Sequence, residues 1–180
     1  MSIASISAGR DVPDDCNVVI EIPMNGAPIK YEVDKVSGAM FVDRFMTTAM
    51  HYPCNYGYIP STLCGDGDPI DVLVMSPFPL LTGVVVRCRP IGVLHMEDEN
   101  GPDAKILAVP IIRACPQYRA IHGAQDLPAG QLDTIAHFFR HYKDLEPGKF
   151  VHVSGWASAA EARNEILDAV RQYEAVQEVS

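Results

Sequence analysis

The spacing of hydrophobic residues changes in the last third of the chain, and this change decides the fold class. From Asn17 to about Ile112 the sequence consists of short, β-branched runs separated by Gly, Pro, Asn and Asp, which is typical of a strand meander or a small barrel. We predict strands over Val18–Ile22, Ile29–Val33, Ala39–Arg44, Ile70–Met75, Val84–Leu94 and Lys105–Ile112.

Helical spacing replaces this pattern after Pro128. A first amphipathic helix is expected to run until Pro147, and a second to begin at Ser158, which can form a capping box with Glu161. One more strand, Phe150–Val153, is expected between them. The expected buried stripes are Leu132, Ile135, Ala136 and Phe139 in the first helix, and Ala162, Ile166, Ala169, Tyr173 and Val176 in the second.

Strands first and helices last, without regular βαβ alternation, indicate a sheet-dominated α+β class. The chain has 180 residues, of which 48% are hydrophobic and 21% charged, as is ordinary for a packed globule. A chain of this length can bury a core without disulfides or a structural metal. Because the sequence has no repeat, low-complexity tract or Ser/Gly linker, we expect residues 1–180 to form a single domain.

Charge and cysteine content limit the partners of the chain. The net charge of -9 argues against nucleic acid, whose binding depends mostly on Lys and Arg. The five cysteines are widely spaced and include no C-x-x-C pair, so we expect reduced thiols in a cytoplasmic protein. No apolar stretch approaches the ~20 residues of a membrane helix or resembles a signal peptide, so neither export nor a membrane partner is expected.

The segment Gly65–Val72 carries three aspartates within six residues, Asp66, Asp68 and Asp71, where a strand begins. Carboxylates this close repel one another unless a cation neutralises them, which favours a bound hard divalent metal. An Asx-rich surface turn is the alternative, and is the usual structure of an isolated Asp-Gly-Asp tripeptide.

A second acidic segment, Glu97–Asp103, lies in a turn between two predicted strands. On its own it could equally be a solvated hairpin tip. If both acidic segments open at the same end of a barrel, their carboxylates could hold two or more Mg²⁺ ions, and Asp68 could take a proton from bound water. The aspartates expected to bind metal are Asp66, Asp71, Asp98 and Asp103.

Cations accompany these carboxylates along the predicted strands. Strand alternation places Lys30 and Glu32 on one face, and Arg44 and Lys105 lie on neighbouring strands. Such side chains suit phosphate oxygens, although isolated strand cations are more often solvated edge charges. Tyrosines are dense between His51 and Tyr58, where their hydroxyls could bind phosphate or simply pack at the rim.

These motifs together resemble the soluble family I inorganic pyrophosphatases of bacterial type. The run D-G-D-P-x-D-V, here Asp66–Val72, is the signature of that family. Matches continue from Val18 to Trp156 in the family's order. They include Val19–Pro23, Ile29–Glu32, Phe41–Arg44, Tyr52–Tyr58, Asp98–Lys105 and His141–Lys143.

The resemblance implies a five-stranded, OB-like β-barrel flanked by C-terminal helices, with the active site at its mouth. It implies that Asp66, Asp71 and Asp103 hold activating Mg²⁺ ions, that Asp98 shares a further ion with Asp103, and that Asp68 is the general base. Glu21 and Glu32 would support the site. The residues implied to bind the phosphates of the substrate are Lys30, Arg44, Tyr56, Lys105, Tyr142 and Lys143.

The implied reaction is hydrolysis of pyrophosphate to two phosphates by direct attack of a metal-activated water. Ca²⁺ is expected to bind and inhibit, because it accepts looser coordination and polarises water less. The resemblance also implies a homo-oligomer, a hexamer, with the helix that carries His137 and His141 at a subunit contact.

Two other functions are compatible with the sequence. The first is a non-catalytic OB-type module that uses its acidic loops to hold calcium or a partner protein. The second is a nucleotide pyrophosphohydrolase, which would need an apolar or aromatic pocket for a base.

Overall fold

The computed structural model describes residues 3–34, 36–128 and 130–178. In this part of the chain, nine strands and two α-helices form the fold, with three short 3₁₀ helices in the connections. The strands are β1 (Gly9–Asp11), β2 (Asp15–Ile22), β3 (Ile29–Val33), β4 (Met40–Phe45), β5 (Asn55–Tyr58), β6 (Asp71–Val74), β7 (Val85–Asp98), β8 (Gly101–Pro110) and β9 (Val151–Ala157), and the helices are α1 (Gln131–His141) and α2 (Ala159–Gln177).

Five of the strands close into a ring. The order β2-β5-β6-β8-β7 returns to β2 through a β2–β7 pairing, while β1 and β9 extend the ring at β2 and β7. All neighbours are antiparallel except β6 and β8, which run parallel. The remaining two strands, β3 and β4, form a separate hairpin. The predicted sheet-dominated α+β class, with a five-stranded barrel and two C-terminal helices, is confirmed.

The core consists of two clusters, one under each helix. Phe138 and Phe139 of α1 belong to the first, and Ile166 of α2 to the second. Strand β6 contributes to both, because Leu73 packs in the first cluster while Val72 packs in the second. Burial on both faces explains why this strand is a continuous apolar run rather than an alternating one.

The second helix begins as the sequence predicts. The Ser158 hydroxyl accepts a hydrogen bond from the Glu161 amide at 3.2 Å, and the Glu161 carboxylate accepts one from the Ser158 amide at 3.1 Å. The buried stripe ends earlier than predicted, because Val176 is 50% exposed beyond the edge of the barrel. The first helix also ends earlier, at His141 rather than at Pro147.

Strand β5 was not predicted, because it has only four residues and contains polar Asn55 and Gly57. Its glycine is a packing requirement. A Cβ atom on Gly57 would lie 1.9 Å from the carbonyl oxygen of Val19 on β2, so only glycine permits this close pairing of two barrel strands.

Asn55 is fully buried and joins three segments of backbone at the end of β5. Its Oδ1 accepts hydrogen bonds from the amides of Met24 at 3.0 Å and Leu80 at 2.8 Å. Its Nδ2 donates to the Val74 carbonyl at 3.3 Å and to the Ser76 hydroxyl at 2.7 Å. The side chain is therefore fully satisfied, as a buried amide must be to avoid a large desolvation cost.

We predict that Asn55→Ala lowers the free energy of unfolding by about 3 kcal/mol, because two backbone amides and one hydroxyl lose their buried partner. Urea unfolding followed by circular dichroism measures this difference. Asn164→Ala, at an exposed position on α2, is the control and should change the free energy by less than ~0.5 kcal/mol. Equal effects in the two variants would contradict the role given to Asn55.

Among the described residues, no helix is both long and apolar enough to cross a membrane.

Candidate active site

The centre of the candidate site is an ammonium group buried between two carboxylates. Lys105 is 5% exposed, and its Nζ forms ion pairs with Asp71 and, at 2.8 Å, with Asp103. The parallel pairing of β6 with β8 places Asp71 directly beside Lys105, and Asp103 lies two residues earlier on β8, on the same face. Strand register therefore builds this group from residues far apart in the sequence.

Burial and charge act against each other at Lys105. Burial alone would lower the pKa of Lys105, but the charges of Asp71 and Asp103 outweigh it and hold that pKa well above its usual value. Burial raises the pKa of Asp103, an effect that Lys105 opposes and the neighbouring Asp71 charge reinforces. Lys105 is therefore the shared counterion of the two carboxylates.

A second ion pair lies at the hairpin between β7 and β8. The Nζ of Lys143, just beyond α1, lies 2.8 Å from Asp98 and 3.4 Å from Glu99. Burial raises the pKa of Asp98, but the hydrogen bonds from Lys143 and the Asn100 amide, together with the charges of Lys143 and Lys105, outweigh it, and the pKa is lowered. Asp98 also contributes to the field that raises the pKa of Asp103, so the two ion-paired groups belong to one site.

An open cleft of about 730 Å³ lies between the β3–β4 hairpin and the mouth of the barrel. It contains a mixed set of acidic, basic and phenolic groups. Of the predicted site residues, it is lined by Glu21, Lys30, Glu32, Tyr56, Asp68 and Asp71. Asp71 joins the cleft to the buried Lys105 group.

The cations of the hairpin are paired with carboxylates. Lys30 forms an ion pair with Glu32, as strand alternation predicts, and its Nζ lies 3.3 Å from Asp43. Arg44, opposite Lys30 in the hairpin, lies 3.7 Å from Glu146. Its Nε is buried without a hydrogen-bond partner among the described residues.

Three acidic side chains in these pairs were not assigned by sequence reasoning: Asp43, Glu99 and Glu146. Glu99 lies within the acidic segment already noted, so its neighbours gave a signal. Asp43 precedes Arg44 but has no other distinguishing pattern. Glu146 follows the first helix, and only the tertiary fold brings it to the hairpin.

Tyrosines line the site from an aromatic layer beneath α1. The ring of Tyr52 lies 5.2 Å from Tyr56 and 4.6 Å from Phe138, which stacks on Tyr142 at 5.2 Å. The hydroxyl of Tyr56 is 3.5 Å from the Lys105 ammonium. Tyrosine packing and tyrosine contact with the site, which the sequence left as alternatives, therefore occur together.

Hydrogen bonds within the signature loop, residues 63–69, hold its turn in place. The Asp68 amide donates to Asp66 Oδ1 at 3.0 Å, and the Cys64 amide donates to the Asp68 carbonyl at 2.7 Å. Asp66 and Asp68 are both exposed, and Asp68 faces the cleft. This loop has the hydrogen bond of an Asx turn, the structure that the sequence left as the alternative to a metal site. It also lies at the edge of the charged site.

Glu21 is a buried acid at the inner wall of the cleft. Its Oε1 accepts a hydrogen bond from the Val33 amide at 2.9 Å. Burial raises the pKa of Glu21 to about 8, the hydrogen bond partly opposes this, and the charges of Asp71 and Glu32 reinforce it. The side chain is therefore largely protonated at neutral pH in the metal-free protein.

The chain is similar to known proteins over nearly its whole length. A family model described as inorganic pyrophosphatase matches residues 18–174. The inorganic pyrophosphatase of Escherichia coli (strain K12) is 59% identical over 167 residues, which cover 93% of this chain and 95% of that protein.

Solved structures give the same result. An inorganic pyrophosphatase from Coxiella burnetii has a TM-score of 0.90 and 51% identity, covering 93% of this chain and 99% of that chain. An inorganic phosphatase from Anaplasma phagocytophilum has a TM-score of 0.93 and 50% identity, covering 94% of this chain and 99% of that chain.

We predict that Glu21→Gln becomes more stable relative to the wild type as pH rises from about 5 to about 8. The ordinary pKa of 4.5 is raised to about 8 on folding, so in this window the folded wild type keeps a proton that the unfolded chain releases. Wild-type stability from this group is present below pH 4.5 and is lost as pH rises through 8, by at most ~1.4 kcal/mol per pH unit.

Urea unfolding at several pH values in the presence of EDTA measures this difference. Glu174→Gln, an exposed acid on α2, is the control and should show no such trend. A stability difference for Glu21→Gln that is constant with pH would contradict the raised pKa.

Proposed function

The chain belongs to the inorganic pyrophosphatase family and hydrolyses pyrophosphate to two phosphates, and we propose that the reaction is direct phosphoryl transfer to water at the barrel mouth with Mg²⁺ as cofactor. The observation that carries this proposal is the buried Lys105 ammonium shared by Asp71 and Asp103 beside the Tyr56 hydroxyl. Carboxylates that could hold a metal lie here beside an ammonium and a hydroxyl that could donate to a phosphate.

The donor set fits a hard divalent cation. Among residues 3–34, 36–128 and 130–178, no three His, Cys, Asp or Glu side chains already converge on a metal position, and lysines pair with the carboxylates instead. Acidic side chains nevertheless outnumber the lysines around Asp71 and Asp103, and oxygen ligands of this kind are those that Mg²⁺ prefers. The residues proposed to hold Mg²⁺ are Asp66, Asp71, Asp98 and Asp103.

Bound Mg²⁺ would supply two things, a lowered pKa for water and compensation for the negative charge of the phosphates. The protein supplies the proton acceptor. Asp68 lines the cleft beside Asp71, so one of its carboxylate oxygens can take the proton that the attacking water loses. The hydrogen bond from its amide to Asp66 fixes the backbone of this base.

The cations and hydroxyls of the site are proposed to bind the phosphates. Each basic side chain is already held in place by a carboxylate, Lys30 by Glu32, Arg44 by Glu146 and Lys143 by Asp98. Phosphate oxygens can replace the carboxylates in these ion pairs without large rearrangement. The proposed substrate-binding residues are Lys30, Arg44, Tyr56, Lys105, Tyr142 and Lys143.

Glu21 and Glu32 are proposed to support the site rather than to react. Glu32 holds the Lys30 ammonium over the cleft, and Glu21 fixes β3 to the barrel through the Val33 amide. The contact of Glu21 with Val33 joins the hairpin wall to the barrel wall, whereas the pair of Lys30 with Glu32 lies within β3. The charge on the departing phosphate is then spread over fixed cations, so no covalent intermediate is required.

We also propose a cytoplasmic homo-oligomer, a hexamer by family resemblance. Exposed aromatic side chains on the β3–β4 hairpin, Phe41 at 56% and Phe45 at 74%, support a contact between subunits. The rings of His137 and His141 lie 4.6 Å apart, tilted by 51°, on the exposed face of α1, where the resemblance implies another contact. Sedimentation showing only monomer would exclude this assembly.

Family membership leaves the two other functions considered from the sequence without support. Neither a calcium store nor a partner-binding module requires cations beside its carboxylates, and here Lys30, Lys105 and Lys143 are paired with them. A nucleotide substrate would need a platform for its base. The charged side chains that line the cleft, among them Lys30, Asp68 and Asp71, favour the small, highly charged substrate.

We predict that Asp68→Asn lowers kcat for pyrophosphate at saturating Mg²⁺ by about a hundredfold or more, because the amide keeps the shape but cannot take a proton. Phosphate release measured by a colorimetric assay tests this. Asp133→Asn, exposed on α1, is the control and should retain wild-type activity. Full activity of Asp68→Asn would remove Asp68 as the base.

We predict that Ca²⁺ binds to the enzyme but does not support turnover, because its looser coordination polarises water less than Mg²⁺ does. Thermal unfolding with added Ca²⁺ should show a raised Tm, while phosphate release should fall when Ca²⁺ competes with Mg²⁺. Turnover with Ca²⁺ alone at the rate seen with Mg²⁺ would contradict this account.

A further inference from the structure

The signature loop begins and ends where strands β5 and β6 separate, and we call this junction of Ile59 with Ile70 the neck. Strands β5 and β6 pair up to Tyr58 and Asp71, and the next opposed pair is Ile59 and Ile70. Both isoleucines are 1% exposed, so polar groups at this position cannot rely on water. The Ile59 amide donates to the Ile70 carbonyl at 3.1 Å, which is one of the two hydrogen bonds that such a pair normally exchanges.

The second of these hydrogen bonds is replaced by a side chain. The Thr62 hydroxyl donates to the Ile59 carbonyl at 2.6 Å and accepts from the Ile70 amide at 3.0 Å. Thr62 is itself 2% exposed. Its hydroxyl therefore lies between the two strands as a spacer, and it sets how far they separate before the loop begins.

Beyond the neck, three hydrogen bonds join residues within the loop. The Gly67 amide donates to the Cys64 carbonyl at 3.0 Å, in addition to the two hydrogen bonds of Asp68 described above. An outer anchor comes from α2, where the Ala169 carbonyl accepts from the Leu63 amide at 2.9 Å. Because these hydrogen bonds hold the loop together, we expect the contacts of Thr62 and Leu63 with the rest of the fold to set its orientation.

We propose that Thr62 is a positioning residue for the proposed metal site, because its hydroxyl fixes the start of the signature loop against the neck. The loop carries Asp66 and Asp68, whereas Asp71 lies on the strand that begins immediately after the neck. The hydroxyl of Thr62 therefore fixes the loop aspartates relative to the strand aspartate. This inference rests on the proposed role of these aspartates in binding Mg²⁺ and taking up a proton.

Threonine suits this position for two reasons. Its hydroxyl donates and accepts at once, which the Ile59 carbonyl and the Ile70 amide both require. Its β-methyl group restricts χ1 and holds the hydroxyl in place. Valine has nearly the same shape but lacks the hydroxyl, so Thr62→Val leaves both backbone groups unpaired and allows the strands to close or shift.

The test is the affinity for Mg²⁺ of Thr62→Val, measured by isothermal titration calorimetry without substrate. We expect affinity to fall by about tenfold or more, as is usual when a group that orients metal ligands is lost. Thr62→Ser keeps the hydroxyl and should bind within about twofold of wild type. The matched control is Thr48→Val, another buried threonine, whose hydroxyl accepts a hydrogen bond from the Met50 amide outside this loop and whose loss should leave Mg²⁺ affinity unchanged.

Steady-state kinetics provide a second readout. In Thr62→Val the Mg²⁺ concentration for half-maximal phosphate release should rise, and kcat at saturating Mg²⁺ should recover more than half of its wild-type value. If Thr62→Val does not fold, Thr62→Cys, whose thiol is a weak hydrogen-bonding group, is expected to weaken Mg²⁺ binding in the same direction.

If folded Thr62→Val binds Mg²⁺ with the affinity of the wild type, the inference is overturned and the proposed function remains intact. Failure of the wild type itself to bind Mg²⁺, or to release phosphate with it, would overturn the proposed function and the inference with it.

Discussion

The site depends on one buried ammonium group, that of Lys105, which pairs with two carboxylates. Lys105 offsets part of the negative charge of Asp71 and Asp103, and its own ammonium is buried where an unpaired charge would be strongly unfavourable. Strand pairing fixes this arrangement, because Asp71 and Lys105 are register partners in the one parallel pair of the barrel. The other charged residues of the site, such as Asp103 and Asp98, lie on β8 and at the end of β7.

Two other elements complete the site from opposite sides. The β3–β4 hairpin forms the outer wall of the cleft and brings Lys30 and Arg44 with their own acidic partners. Helix α1 forms the other side, where an aromatic layer supports Tyr142 and the following Lys143 reaches Asp98. These proposed phosphate-binding groups therefore come from the hairpin and from the residues just after α1, while the proposed base comes from a short loop with internal hydrogen bonds.

The sequence predicted those features that local patterns specify. Strand alternation placed Lys30 beside Glu32, and the capping box at Ser158 marked the start of α2. Strand β5 was missed because its four residues carry no β-branched side chain, and its place is fixed by the side-chain hydrogen bonds of Asn55 and by Gly57, whose contacts are all distant in sequence.

Prediction of the site was limited for the same reason. The acidic segments identified the aspartates, and the family resemblance assigned their roles. Neither could indicate that Lys105 lies between Asp71 and Asp103, or that Glu146 reaches Arg44, because these contacts depend on how strands and connections pack in three dimensions. The Thr62 hydroxyl is a further example, since a threonine in a loop has no distinguishing pattern.

The central claim is that the carboxylates gathered around Lys105 form a divalent cation site. Calorimetric titration with Mg²⁺ of the wild type and of Asp71→Asn tests it most directly. The account predicts that the wild type binds Mg²⁺ with measurable heat and that Asp71→Asn loses its tightest binding while remaining folded. Equal Mg²⁺ binding by the two proteins would contradict it.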